Sequence, residues 1–188
     1  ARGTEGIWRG AFRRLEESVQ SVRRATLRGD IALTDDRNEE LMDAYGAVLR
    51  TAITRDPRVL TLLEEHFTPE DVLAIGRRII GTGRIGGKSI GMLLARAVLE
   101  NTDPKWAELL EVHDSFYIGS DVFYTFLVQN GLWWDSQTIT AADDPVDFSQ
   151  RLLRGADRAR RRMAVGKFPE EVRTQLQTML DYYGQSPI

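Results

Sequence analysis

The run Ile80-Gly81-Thr82-Gly83-Arg84-Ile85-Gly86-Gly87-Lys88-Ser89 places four glycines in one turn and hands over directly to an apolar, helix-forming stretch, Ile90 to Leu99. This composition suits a bound phosphate. Glycine admits positive φ and lets bare backbone N–H groups approach an anion. The helix start that follows adds partial positive charge, and Lys88 supplies a full one. The chemistry expected is the grip of a nucleotide's phosphates.

Two stricter patterns nearly fit, and both fail on context. Gly81-x-Gly83-x-x-Gly86 matches the dinucleotide fingerprint, which requires a preceding strand, a parallel strand after the helix, and an acid about 20 residues onward. Only Ile79-Ile80 offers a strand before it, Asp103 falls in a helix-ending turn, and no parallel strand is expected at the right distance. Gly87-Lys88-Ser89 matches the end of a Walker A loop, but Thr82 stands where its first glycine belongs and Gly81 is one residue too early. No buried strand ending in an acid supports magnesium in the Walker B manner. A purely structural glycine turn with a solvated lysine stays open at this level.

Helices must position the turn. Trp8, Phe12, Leu15, Val19 and Val22 form one apolar stripe over residues 5–24, a helix whose face needs a partner surface. A second helix is expected from Asp36 to Thr54, with Leu41, Tyr45, Val48, Leu49 and Ala52 inward. Asp56-Pro57 and Thr68-Pro69-Glu70-Asp71 each read as an N-cap followed by proline in the first turn, the latter with a capping-box acid. They open helices Pro57 to His66 and Pro69 to about Arg78. Beyond the glycine turn, helices are expected over Lys88 to Glu100 and Lys105 to Leu110, and a strand over Ser115 to Ile118. Ser120 is expected to cap a helix, Asp121 to Asn130, with Phe123, Phe126 and Leu127 inward and Gly131 as its C-cap. Residues 135–144 read as loop, Asp144-Pro145 opens a helix to about Ala164, and Phe168-Pro169-Glu170-Glu171 opens the last, ending before Gly184.

The 188 residues are 42% apolar and 28% charged, with a formal net charge of −3. That balance is ordinary for a globular chain and gives no overall attraction to nucleic acid or anionic membrane. There is no cysteine, which removes disulfides and thiolate chemistry and favours the cytoplasm. Two histidines leave little scope for a metal centre. No apolar run approaches the ~20 residues of a membrane span, and no signal-peptide core is present near the N-terminus. The chain begins with Ala rather than Met, as a trimmed piece would.

The segment Gly83-Arg84-Ile85-Gly86-Gly87-Lys88-Ser89-Ile90-Gly91-Met92-Leu93 resembles the N-terminal nucleotide-binding segment of the phosphoenolpyruvate synthase and pyruvate phosphate dikinase family. Phe116-Tyr117-Ile118-Gly119-Ser120-Asp121-Val122-Phe123 to Leu127 is similar to the short strand and aromatic helix that follow in that family. The similarity covers roughly 79–188 and is strongest with divergent PEP/pyruvate-binding domain proteins that carry extra helices before the turn. It implies a mainly helical α+β fold in two parts. Residues 1–78 would be an N-terminal helical region, and 79–188 the N-terminal portion of an ATP-grasp-like nucleotide-binding domain with few short strands, truncated at its C-terminal end.

The resemblance further implies that Lys88 meets ATP phosphate oxygens, that Gly86 and Gly87 bring amides to them, and that Arg84 and Ser89 assist. ATP and Mg2+ are the implied cofactors, with the magnesium ligands outside this chain. In the family, ATP phosphorylates a histidine on a separate domain, which passes the group to pyruvate. The family's Val-Arg-Ser-Ser strand would begin where this chain stops, at Pro187-Ile188, and its carrier-histidine motif is absent. His66 and His113 match neither its neighbours nor its place, and read as surface or cap-side histidines. No catalytic or metal-binding residue is therefore assigned, and the chain alone is expected to be inactive in phosphoryl transfer.

The arginines at 151, 154, 158 and 160–162 read as a solvated or salt-bridged helix face, and Trp133-Trp134 as core or interface. The competing reading is a non-catalytic helical interaction module with a structural glycine turn. Its partner surface would be the Trp8 to Val22 stripe, and the N-terminal helices could equally support a homo-oligomer.

Overall fold

The computed structural model describes residues 2–29, 31–111, 114–133 and 156–184. They form two compact units, Ala1–Ser120 and Asp121–Ile188. Among the described residues the regular elements are helices and one two-stranded sheet, and no helix is long and apolar enough to cross a membrane.

The first unit begins with α1 (Arg2–Arg28) and α2 (Ile31–Val48), which continues into a π-helical turn, Leu49–Ile53. Both helices begin before the expected N-terminal bounds; in α1 the added turn, Arg2 to Glu5, is polar and carries no periodic signal. The stripe of α1 is covered by its own chain: Trp8 and Leu15 are buried, with Phe12 and Val19 packed beside them, in a core built with Tyr45, Val48, Leu49 and Ala52. An intermolecular role for that stripe therefore loses its apolar face.

The next two helices follow their caps. α3 (Pro57–His66) starts where Asp56 accepts from the Arg58 and Val59 amides at 2.9 and 3.3 Å. α4 (Pro69–Arg77) starts at a complete capping box in which Thr68 and Asp71 exchange bonds of 2.8 and 3.2 Å. Tyr45 ties α2 to this pair, its buried hydroxyl donating to the Leu63 and Phe67 carbonyls at 3.1 and 3.0 Å. Burial raises its pKa, and the nearby carboxylates of Asp71 and Glu64 add to the effect.

Two residues then form β1 (Ile79–Ile80), followed by the glycine turn, α5 (Gly87–Thr102), α6 (Lys105–Leu109) and β2 (Tyr117–Ile118). The strands pair in parallel, Ile79 with Tyr117 and Ile80 with Ile118. The strand expected over Ser115 to Ile118 thus forms in its last two residues, and it pairs in parallel with β1, a pairing that was not expected from sequence. Strands of two residues are too short to show alternation, which is why neither the pairing nor the narrowing of Ser115–Ile118 to its last two residues was legible.

α7 (Ser120–Gln129) has its first residue in the first unit and the rest in the second, and it ends at Gly131, whose φ of 65° completes the expected C-cap. Its buried positions are Val122, Phe126 and Leu127, whereas Phe123 is 56% exposed and lies against Tyr124. The apolar residues of this helix fit more than one face, and the spacing from Phe126 back by four, rather than three, marks the buried one. A helix over 156–164 (α8) contributes Arg162, which donates to the Asn130 and Gly131 carbonyls at 3.1 and 3.2 Å. The arginine-rich stretch therefore partly serves as a helix cap. Trp133 packs on Phe126, Leu127 and Leu132, as a core residue does. The last helix, α9 (Glu170–Tyr183), ends at Gly184 as expected. His113, Trp134, Arg151, Arg154 and the 135–144 loop lie outside the described residues, as does most of the helix expected from Asp144.

Candidate functional site: a pinned turn before an uncapped helix

The glycine turn joins the end of β1 to α5, and its conformation is set from several sides. Gly81 and Gly83 take φ of 73° and 90°, where side chains are strained. Thr82 is buried, and Ile85 inserts into the core of the first unit. Gly119 lies so close that an added Cβ would stand 2.1 Å from the Thr82 carbonyl oxygen, so only glycine lets the chain after β2 lie against the turn.

Two consecutive peptide groups in the turn have every polar atom engaged. The Gly83 carbonyl accepts from the Trp8 indole N–H at 2.9 Å. The amide of that same peptide group, Arg84 N–H, donates to the Ser120 hydroxyl at 3.1 Å. In the next group, the Arg84 carbonyl accepts from Ser120 N–H and Ile85 N–H donates to the Ala52 carbonyl, both at 3.0 Å. Ala52 has a carbonyl to offer because it lies in the last turn of its helix, where acceptors lack helical donors. Ser120, expected to precede and cap α7, is instead its first residue and holds the turn.

Immediately afterwards the bonding stops. Gly86 is the N-cap of α5, with extended φ −71° and ψ 149° and no side-chain cap. The N–H groups of Gly86, Gly87, Lys88 and Ser89 donate to nothing among the described residues, the first intrahelical bond being Ile90 N–H to the Gly86 carbonyl. Lys88 and Arg84 are exposed, and neither side chain forms an ion pair among the described residues. Ser89 is half-buried. All five residues suggested by sequence therefore lie together at one helix start. Positive φ, however, belongs to Gly81 and Gly83 and not to Gly86 and Gly87.

A Cβ added to Gly86 or Gly87 would meet nothing within 4 Å. Their backbones are bare toward open space, which a ligand could occupy. The donors point to an anion: amides at a positive helix end, an ammonium and a guanidinium. No group of three or more His, Asp or Glu side chains suited to a metal ion stands together among the described residues.

A hollow of about 440 Å³ lies elsewhere in the first unit, lined by Asp71, Arg78, Arg96, Glu100, Asn101 and Tyr117 among others. It sits at the N-terminal ends of the two strands, away from the turn. Its charged groups already have partners, Arg78 with Asp114 at 2.7 Å and Arg96 with Glu100 at 2.8 Å. Half-buried His66 also lines it, the cap-side residue expected, its carbonyl accepting from Asn101 at 3.0 Å. The turn offers less enclosure and more uncommitted donors, and phosphate recognition depends on donors.

Sequence reasoning missed Trp8, Ala52, Ser120 and Gly119 as supports. Trp8 was visible only as a core residue, and the Ala52 carbonyl carries no sequence signal.

A comparison with protein-family models matches residues 82–187, more than half of the 188, to the family described as pyruvate phosphate dikinase, AMP/ATP-binding domain. No curated protein and no solved structure matches the chain.

Proposed function

The chain belongs to the pyruvate phosphate dikinase AMP/ATP-binding family, and on that premise we propose that the turn between β1 and α5 holds the phosphates of ATP. The observation that carries this reading is the run of four amides, Gly86 to Ser89, that have no acceptor among the described residues and stand directly after two fully bonded peptide groups. A turn fixed on one side and open on the other offers donors already aimed, so little ordering opposes binding. Lys88 neutralises phosphate charge, Gly86 and Gly87 let oxygens reach the backbone, and Arg84 and Ser89 add donors at the rim.

In the intact protein the reading places this site in a phosphotransferase. ATP with Mg2+ supplies the phosphoryl group, a histidine on another domain carries it, and a pyruvate-like small molecule receives it. The residues described here bind and orient the nucleotide and take no part in bond making. Phosphoryl transfer needs more positive charge around the three phosphates than one lysine and one arginine provide, so this chain alone binds nucleotide weakly and does not turn it over. The division at 78/79 is proposed as a functional one, since residues on both sides of it share one core. A cytoplasmic setting fits the absence of cysteine.

The test is nucleotide-induced thermal stabilisation of the full-length protein against Lys88→Ala. The wild type should gain several degrees with saturating ATP analogue, and the variant should need at least about ten-fold more ligand, the worth of a charge-assisted contact. Equal shifts in both proteins would remove Lys88 from the site.

A further inference from the structure

We infer that Trp8 is a positioning residue for the nucleotide, and that helix α1 sets the affinity of the phosphate-binding turn through the indole N–H. This rests on the reading of the turn as a phosphate site. Trp8 is buried, its ring 4.5 Å from that of Phe12, and its N–H reaches the Gly83 carbonyl across a sequence separation of 75 residues. That carbonyl belongs to the same peptide group as Arg84 N–H, which Ser120 holds from the other side. The peptide group is thus clamped between Trp8 and Ser120, both in the first unit, two residues before the first amide that has no acceptor among the described residues.

Gly83 makes the clamp consequential. At φ 90° and without a Cβ, it opposes rotation of the adjoining peptide less than any other residue would. Releasing the carbonyl removes one of the bonds that hold this peptide group, leaving the Ser120 bonds and buried Ile85 beside it, and a rotation there re-aims the chain leading into Gly86 and Gly87. Core packing alone does not call for the indole N–H, since phenylalanine fills a buried aromatic position with no polar atom to satisfy. By linkage, nucleotide binding must tighten the seating of α1 by the same factor that α1 tightens nucleotide binding.

The experiment measures AMPPNP affinity with Mg2+ in the intact protein for wild type, Trp8→Phe, Phe12→Leu and Lys88→Ala, with thermal midpoints alongside. Trp8→Phe should weaken binding about five-fold, the scale of one neutral hydrogen bond. Phe12→Leu disturbs the same packing without touching the bond and should keep wild-type affinity. A second readout is the 19F spectrum of protein labelled with 5-fluorotryptophan, with the Trp8 resonance assigned by its contacts with the Phe12 ring. It should shift with AMPPNP in wild type, following saturation, and stay still in Lys88→Ala at the same ligand concentration.

If Lys88→Ala loses affinity while Trp8→Phe does not and the Trp8 resonance stays fixed, the inference fails and the phosphate site stands. Equal losses in Trp8→Phe and Phe12→Leu would assign the effect to packing and overturn the role of the bond. Should Trp8→Phe not fold, the wild-type resonance decides, and an unmoved signal at saturation overturns the inference. Binding that Lys88→Ala leaves unchanged, or no binding by wild type, sinks the site reading and this inference with it.

Discussion

The peptide groups linking Gly83, Arg84 and Ile85 and the four amides from Gly86 to Ser89 are neighbours in sequence and opposites in bonding. The first have all four polar atoms held by Trp8, Ser120 and Ala52. The second have no acceptor among the described residues. Their glycines divide the same way. Gly83 needs its freedom from a side chain to adopt φ 90°, while Gly86 adopts φ −71°, open to any residue. Glycine is used once to shape the chain and once to keep it bare, and only the second use points to a ligand.

Substitutions can test each side of that contrast. Gly119→Ala should have the largest effect, because its Cβ would stand 2.1 Å from one backbone atom of Thr82 and 2.7 Å from another, with no flexible side chain to yield. A loss of about 3 kcal/mol is expected in urea unfolding. A loss below about 0.5 kcal/mol, within the range of ordinary surface changes, would mean that the turn is not held against this loop.

Gly83→Ala forces a side chain into the left-handed region and should cost about 1–2 kcal/mol, read in the same unfolding experiment. An unchanged midpoint would show that the turn relaxes at that position.

Tyr45→Phe comes next, and it tests how firmly α2, and with it the Ala52 carbonyl, is anchored. Removing the hydroxyl that serves the Leu63 and Phe67 carbonyls should cost about 1 kcal/mol. The pH dependence has a definite sign. An unfolded tyrosine loses its proton near pH ~10, whereas the folded one, with its raised pKa, keeps it to higher pH. The native state then binds more protons than the unfolded state, so stability falls as pH rises through that value. Stability curves from about pH 9 to 11 should be flatter for the phenylalanine variant, and parallel curves would refute the assignment.

Gly87→Ala should have the smallest effect on stability, within about 0.5 kcal/mol and of favourable sign, because alanine is the better helix former and its Cβ meets nothing within 4 Å. AMPPNP affinity should nevertheless fall several-fold. Unchanged affinity would break the comparison on its open side.

Much of this architecture was legible before any coordinates. The caps at Asp56 and Thr68, the terminating glycines at 131 and 184, and the helix opened by the glycine turn all depend on neighbours within four residues. The suggested site residues lay together for the same reason, being nearly contiguous from Arg84 to Ser89. The buried face of α7 was misjudged at Phe123 because that helix is apolar on more than one side, and burial is then settled by whatever packs against it. The parallel pairing of β1 with β2 was missed because two residues cannot display a period.

Sequence by itself determined that a glycine-bearing turn enters a helix carrying Lys88, that most of the chain is helical, and that thiol chemistry is absent. Those are consequences of local sterics, hydrogen-bond capacity and periodicity. Tertiary structure alone decided which amides of the turn remain open, because the groups that close its neighbours, on Ala52, Ser120 and Trp8, lie far off in sequence, the last of them 75 residues away. An amide's availability depends on every acceptor that folding brings within about 3 Å, and no local pattern encodes that.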